Sequence, residues 1–164
     1  MSDATSSSTS APIYADRNSG ETFPDGGHMV NVYLERFGKR FEVADHGGAA
    51  APPALDATGY AQVERGSAVI GINVLESQGV LMVFSPIMAV PSQGREAFYR
   101  RILELSFVTT SDAAFAINTS RDEVVVRCLR RLSALDYEEF EDILNTVGEV
   151  ADRWDDELLK EFGA

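Results

Sequence analysis

Two histidines, a single cysteine and a run of carboxylates are the side chains in this 164-residue sequence from which metal or nucleophilic chemistry could be assembled. A tetrahedral zinc site takes four His, Cys or carboxylate ligands, so His28, His46 and Cys128 would need acids to complete one. Both histidines fall in loop-like or tail-like stretches that bring no further ligand with them. The pair Asp45-His46 imitates a general base with its orienting acid, yet it lies in a Gly/Ala/Pro segment with no nucleophile near it and reads as a turn. Cys128 alternates in phase with Val124 and Val126, the place of a buried structural thiol rather than a reactive one. The acids Glu138, Glu139, Glu141 and Asp142 lack calcium-loop spacing and open a helix, where negative charge meets the positive end of the helix dipole. A phosphate loop, a dinucleotide fingerprint, a Gly-x-Ser-x-Gly elbow and a His-Glu-x-x-His pair are all missing. The sequence therefore reads as that of a protein that is not an enzyme, with no catalytic or metal-ligating residue assigned and no cofactor expected.

The elements around these groups follow from apolar spacing. Residues 1–28 are rich in Ser, Thr, Asp, Gly and Pro, with scattered apolar residues such as Ile13, Tyr14 and Phe23, and are expected to form a disordered tail. Residues 29–164 are expected to form a single α+β domain. Val30, Tyr33, Leu34, Phe37 and Phe41 share one face of a first helix over 29–43, and a Gly/Pro-rich loop over 45–58 follows. Three strands over 60–65, 68–76 and 79–90 form an antiparallel meander, with Pro86 fitting only at an edge or a bulge. A second helix over 92–107, capped by Ser92, carries Phe98, Ile102 and Leu105 on one stripe. A hairpin over 114–118 and 123–130 precedes a third helix capped by Asp136. Its residues Tyr137, Phe140, Leu144, Val147, Ala151, Trp154 and Leu158 keep a three-and-four rhythm, and Trp154 belongs to that packing stripe.

Composition narrows the range of partners. Fourteen basic residues against 26 acids leave a net charge of −12, and the segment from Asp136 onward alone contributes −9. Such a field repels nucleic acid and anionic lipid and draws in basic partners. No apolar run approaches the roughly 18 residues of a membrane span. Met1 to Ser10 has neither a basic nor an apolar targeting region, so a cytoplasmic location is expected.

The order helix, three strands, helix, two strands, long helix, that is α-β-β-β-α-β-β-α with an antiparallel sheet, resembles the class I type III secretion chaperone (Tir chaperone, CesT) family. The likeness is carried by Val30 to Phe41, the meander to Val90, Phe98 to Leu105, and the close from Leu129 to Leu135 through Tyr137-Glu138-Glu139-Phe140 to Val150-Ala151-Asp152-Arg153-Trp154. The bacterial YbjN-like sensory transduction regulators resemble it in element order, and would imply a regulator that binds a folded signalling partner. The chaperone resemblance implies a homodimer that holds a segment of a secreted effector in extended form, without nucleotide hydrolysis.

Two surfaces are expected on this basis. Because Leu81, Met82, Val83 and Phe84 are apolar in succession, the third strand needs cover on both faces. A partner segment is expected against one of them, on Val30, Leu34 and Phe37 of the first helix with Leu81, Val83 and Met88 of the sheet. The dimer is expected to bury Phe98, Ile102 and Leu105 of the second helix with Val125 and Leu129 of the last strand.

Overall fold

The protein is described from a computed structural model, which covers residues 13–42 and 52–163. The apolar rhythm after Asp136 produces the longest element, a helix α3 over Tyr137–Phe162, and the Asp136 carboxylate caps it by accepting from the Glu139 N–H at 2.9 Å. Ahead of it the expected order of elements is present: α1 (Gly26–Glu42), β3 (Tyr60–Arg65), β4 (Ala68–Leu75), β5 (Val80–Ala89), α2 (Arg95–Val108), β6 (Ala114–Asn118) and β7 (Glu123–Arg131). The five long strands form one antiparallel sheet in the order β3-β4-β5-β7-β6.

Helices α1, α2 and α3 lie on one side of this sheet. Strand alternation sends Ile70, Ile72, Leu81, Val83, Val126 and Cys128 to that side, where they are buried under α3. Helix α1 joins α3 through Tyr33 and Phe37, whose rings sit 5.6 and 6.5 Å from that of Phe140. Helix α2 joins it through Phe98 and Phe162, with ring centres 5.1 Å apart. The described residues thus form two layers, and among them no helix lies on the opposite face of the sheet.

Pro86 occupies the expected bulge, where the β5–β7 register shifts between Pro86 and Met88. It can sit in the central strand because β4 pairing ends at Gly71–Phe84, so no partner asks for the missing N–H on that side. Helix α2 starts later than its sequence suggests. Ser92 does not cap it; Gly94, at φ 65°, turns the chain instead, and the Arg95 Nε–H reaches back to the Pro91 carbonyl at 2.9 Å.

The expectation of a structureless tail is corrected for residues 13–27. Tyr14–Ala15 (β1) and Thr22–Phe23 (β2) pair as a short antiparallel ribbon, and α1 begins at Gly26 rather than Met29. A ribbon this short is not stable alone. Buried Tyr14 and Phe23 hold it to the core, and so does Asp16, whose carboxylate accepts from Asn18 N, Ser19 N, the Tyr33 hydroxyl (2.7 Å) and Tyr137 N (3.0 Å). Burial pushes the Asp16 carboxyl upward, but these donors outweigh it and hold the group well below the usual carboxylate range. Burial and the facing carboxylate push the Tyr33 hydroxyl far above its ordinary value, so it remains a donor. Residues 1–12 of the expected tail, and the Asp45-His46 pair, lie outside the described residues.

Candidate protein-binding surfaces

The outer face of the sheet is built from the alternate residues of the same strands. Across the strands, one row runs Ala114, Arg127, Phe84, Gly71, Gln62, and the next runs Leu129, Met82, Asn73, Tyr60. The Phe84 ring lies down over Gly71. A Cβ at position 71 would meet the ring at 2.6 Å, so glycine is what lets the ring flatten onto β4. There it approaches Tyr60 at 6.4 Å between centres. On its other side Met82, Phe84, Ala116, Val125 and Arg127 line a shallow cavity of about 290 Å³. Val69 and Leu129 are 38% and 42% exposed at its flanks. The face is an apolar floor of half-buried side chains with no element of the described chain over it.

A second apolar surface lies on α2. Leu103, Phe107 and Val108 are 67%, 90% and 77% exposed, and with Arg100 and Glu104 they form one patch. Large apolar side chains at such exposure on one helix face make this stripe a candidate contact surface.

The structure brings the expected site residues together differently. Val30, Leu34, Phe37, Leu81 and Val83 are buried inside the chain, because α1 and α3 pack over the inner face that the sequence reading left open. Met88 packs half-buried against the same core. Within the apolar run 81–84 of β5 the residues that remain partly accessible are those of opposite parity, Met82 and Phe84. The same correction applies to α2, where Phe98, Ile102 and Leu105 are core and the adjoining stripe of Leu103, Phe107 and Val108 faces outward. On β7 the expectation divides: Val125 is buried at the cavity floor, and Leu129 is exposed.

Groups that could do chemistry are dispersed. Cys128 is buried on the inner face, where burial pushes its thiol pKa up and away from the reactive thiolate. His28 is exposed in the first turn of α1, beside Phe23. Among the described residues no group of three or more His, Cys, Asp or Glu side chains converges as a metal site, and no helix is long and apolar enough to cross a membrane. Glu138 and Glu139 occupy the first turn of α3, as their position after the cap requires.

The chain as a whole has counterparts among known proteins. A family model, the Tir chaperone protein (CesT) family, matches residues 42–155. The chain belongs to this family. The match falls on the first of the two families that the sequence resembles. No curated protein sequence matches the chain. Among solved structures, a chain of the ExsC–ExsE complex superposes with a TM-score of 0.64 at 19% identity, covering 82% of this chain and 96% of that one. A chain of the HopA1–SchA chaperone–effector complex gives 0.58 at 10% identity over 78% and 97%. One from the ExoU–SpcU complex of the Pseudomonas aeruginosa type III secretion system gives 0.54 at 14% identity over 82% and 98%. At these identities the likeness is one of fold: an α+β chain with three helices on a five-stranded antiparallel sheet.

Proposed function

We propose that this chain is a cytoplasmic, non-enzymatic chaperone of the type III secretion kind, which holds a segment of a partner protein in extended form on the outer face of its sheet. The observation that carries the reading is the apolar floor of Tyr60, Met82, Phe84 and Leu129, which no helix among the described residues covers. An extended segment is the shape that fits a shallow face of alternating side chains, and methionine adapts to more than one sequence. The α2 stripe of Leu103, Phe107 and Val108 supplies a second, separate contact, and its reading is a homodimer.

The test is capture of partners by the full chain from its own cell, followed by hydrogen exchange on the captured protein. The reading expects a bound stretch that stays unfolded, and loss of capture in Met82→Asp and Phe84→Asp variants that fold normally. Capture that survives both variants, or a partner bound only through a folded domain, defeats it. Sedimentation of a Leu103→Asp/Phe107→Asp variant tests the dimer: it should run at the chain mass while the unaltered protein runs at twice 17.9 kDa.

A further inference from the structure

The outer face carries two cations that nothing in the described chain neutralises. Arg127, Leu129 and Arg131 are alternate residues of β7 on that face. In the row through Arg127 its neighbours are Phe84 and Ala114, and the neighbour of Arg131 is Val80. None is an acid. Among the described residues neither Arg127 nor Arg131 forms an ion pair. The contrast within the same strand is direct, since Arg130, whose side chain points the other way, pairs with both Glu139 and Asp112. Glu123 at the start of the strand is engaged by the Asn118 amide at 3.0 Å. Glu64 sits on β3, three strands away from β7, or about 14 Å at ordinary strand spacing. In a chain of net charge −12, two unpaired arginines beside an apolar floor are a local reversal of sign.

We propose that this face selects extended segments that carry carboxylates beside their apolar side chains, with Arg127 and Arg131 as the groups that pair them. The proposal rests on the reading that the outer face holds an extended segment, and it gives that segment a chemistry. Along a strand, residues four apart are about 13 Å apart and point to the same side. A segment running alongside β7 therefore matches the row Arg127, Leu129, Arg131 with the pattern acid-x-apolar-x-acid. Arginine suits the role because its fixed fork of donors takes a carboxylate by two parallel hydrogen bonds. The long-range field of the protein draws in basic chains, but at the contact the sign that counts is that of the nearest groups.

Three labelled peptides that repeat X-Thr-Leu-Thr, with Asp, Ser or Lys at X so that X and Leu share one face of the extended chain, test this by fluorescence anisotropy at raised salt. The full chain should bind the Asp peptide at least about fivefold more tightly than the Ser peptide, and an Arg127→Gln/Arg131→Gln variant should lose that preference while still binding the Ser peptide. Equal affinity for the Asp and Ser peptides, tighter binding of the Lys peptide, or a preference unmoved in the variant overturns the selection and leaves the holding of extended chains intact. Failure of all three peptides to bind defeats both the selection and the reading beneath it. Dissociation of a dimer in the double variant, seen by sedimentation, also overturns the proposal, because the face then belongs to a second copy.

Discussion

The two faces of the sheet are made by the same strands and yet differ in what holds their side chains. On the inner face Leu81, Val83, Ile70 and Ile72 are buried beneath α3, with α1 beside it on β4, and the arginine there, Arg130, is paired twice. On the outer face Met82 and Phe84 are half-buried, and among the described residues Arg127 and Arg131 form no ion pair. Stability therefore resides on one side and unmet binding capacity on the other, and single substitutions should separate the two.

The largest expected effect is on the helix layer. Phe140 is fully buried and touches the rings of Tyr33 and Phe37, so Phe140→Ala should lower unfolding free energy by about 3 to 5 kcal/mol in a denaturant titration. Met82→Ala should cost under about 1.5 kcal/mol in the same titration and act mainly on partner affinity. Equal losses from the two would erase the distinction between the faces.

The Asp16 carboxylate comes next, because it ties the N-terminal ribbon to both α1 and the start of α3. Asp16→Ala leaves the Tyr33 hydroxyl and the Tyr137 N–H without their acceptor, and should cost about 2 to 4 kcal/mol. The fold holds this carboxyl below its ordinary value. Its contribution is therefore present above roughly pH 4 and is lost as the pH falls through and below that point. Thermal melts between neutral and acid pH should show a shallower acid limb in Asp16→Asn than in the unaltered chain.

A smaller effect sharpens the picture of the outer face. Gly71→Ala puts a methyl group where the Phe84 ring now rests, and the ring, at the end of a rotatable side chain, must lift. Stability should change by less than about 1 kcal/mol, since alanine also restricts the unfolded strand. Peptide affinity should fall, and an unchanged affinity would show that the flattened ring has no part in binding. The smallest effect on stability belongs to Leu103→Asp, within about 0.5 kcal/mol on an exposed helix face, where the change should appear in sedimentation alone.

Much of the fold could be read in advance from residues whose burial is a matter of local period. The rhythm from Tyr137 to Leu158, the Asp136 cap and the alternation in β4 each need only their own segment, and the structure contains all three. The binding surfaces were legible only as far as the element. Both β5 and α2 were singled out, but on each the side turned outward is the one adjacent to that chosen. Two signals pointed to the right side: the unbuttressed pair Leu103 and Phe107, four residues apart off the main stripe of α2, and Gly71 on the face opposite Ile70 and Ile72. The ribbon was not legible at all, because Tyr14, Asp16 and Phe23 have no period, and Asp16 finds one of its donors 121 residues away.

The sequence by itself determined the order of the elements, their approximate limits and the family, since each depends on spacing within a segment or on the succession of segments. It also determined that Leu81, Met82, Val83 and Phe84 would make a strand apolar on both sides. Which side became core was decided only in three dimensions. An apolar run of this kind is symmetric under a half-turn of the strand, and that symmetry is broken by where α3 docks: burying Leu81 and Val83 beneath α3 leaves Met82 and Phe84, by the two-residue repeat of the strand, facing away from α1, α2 and α3.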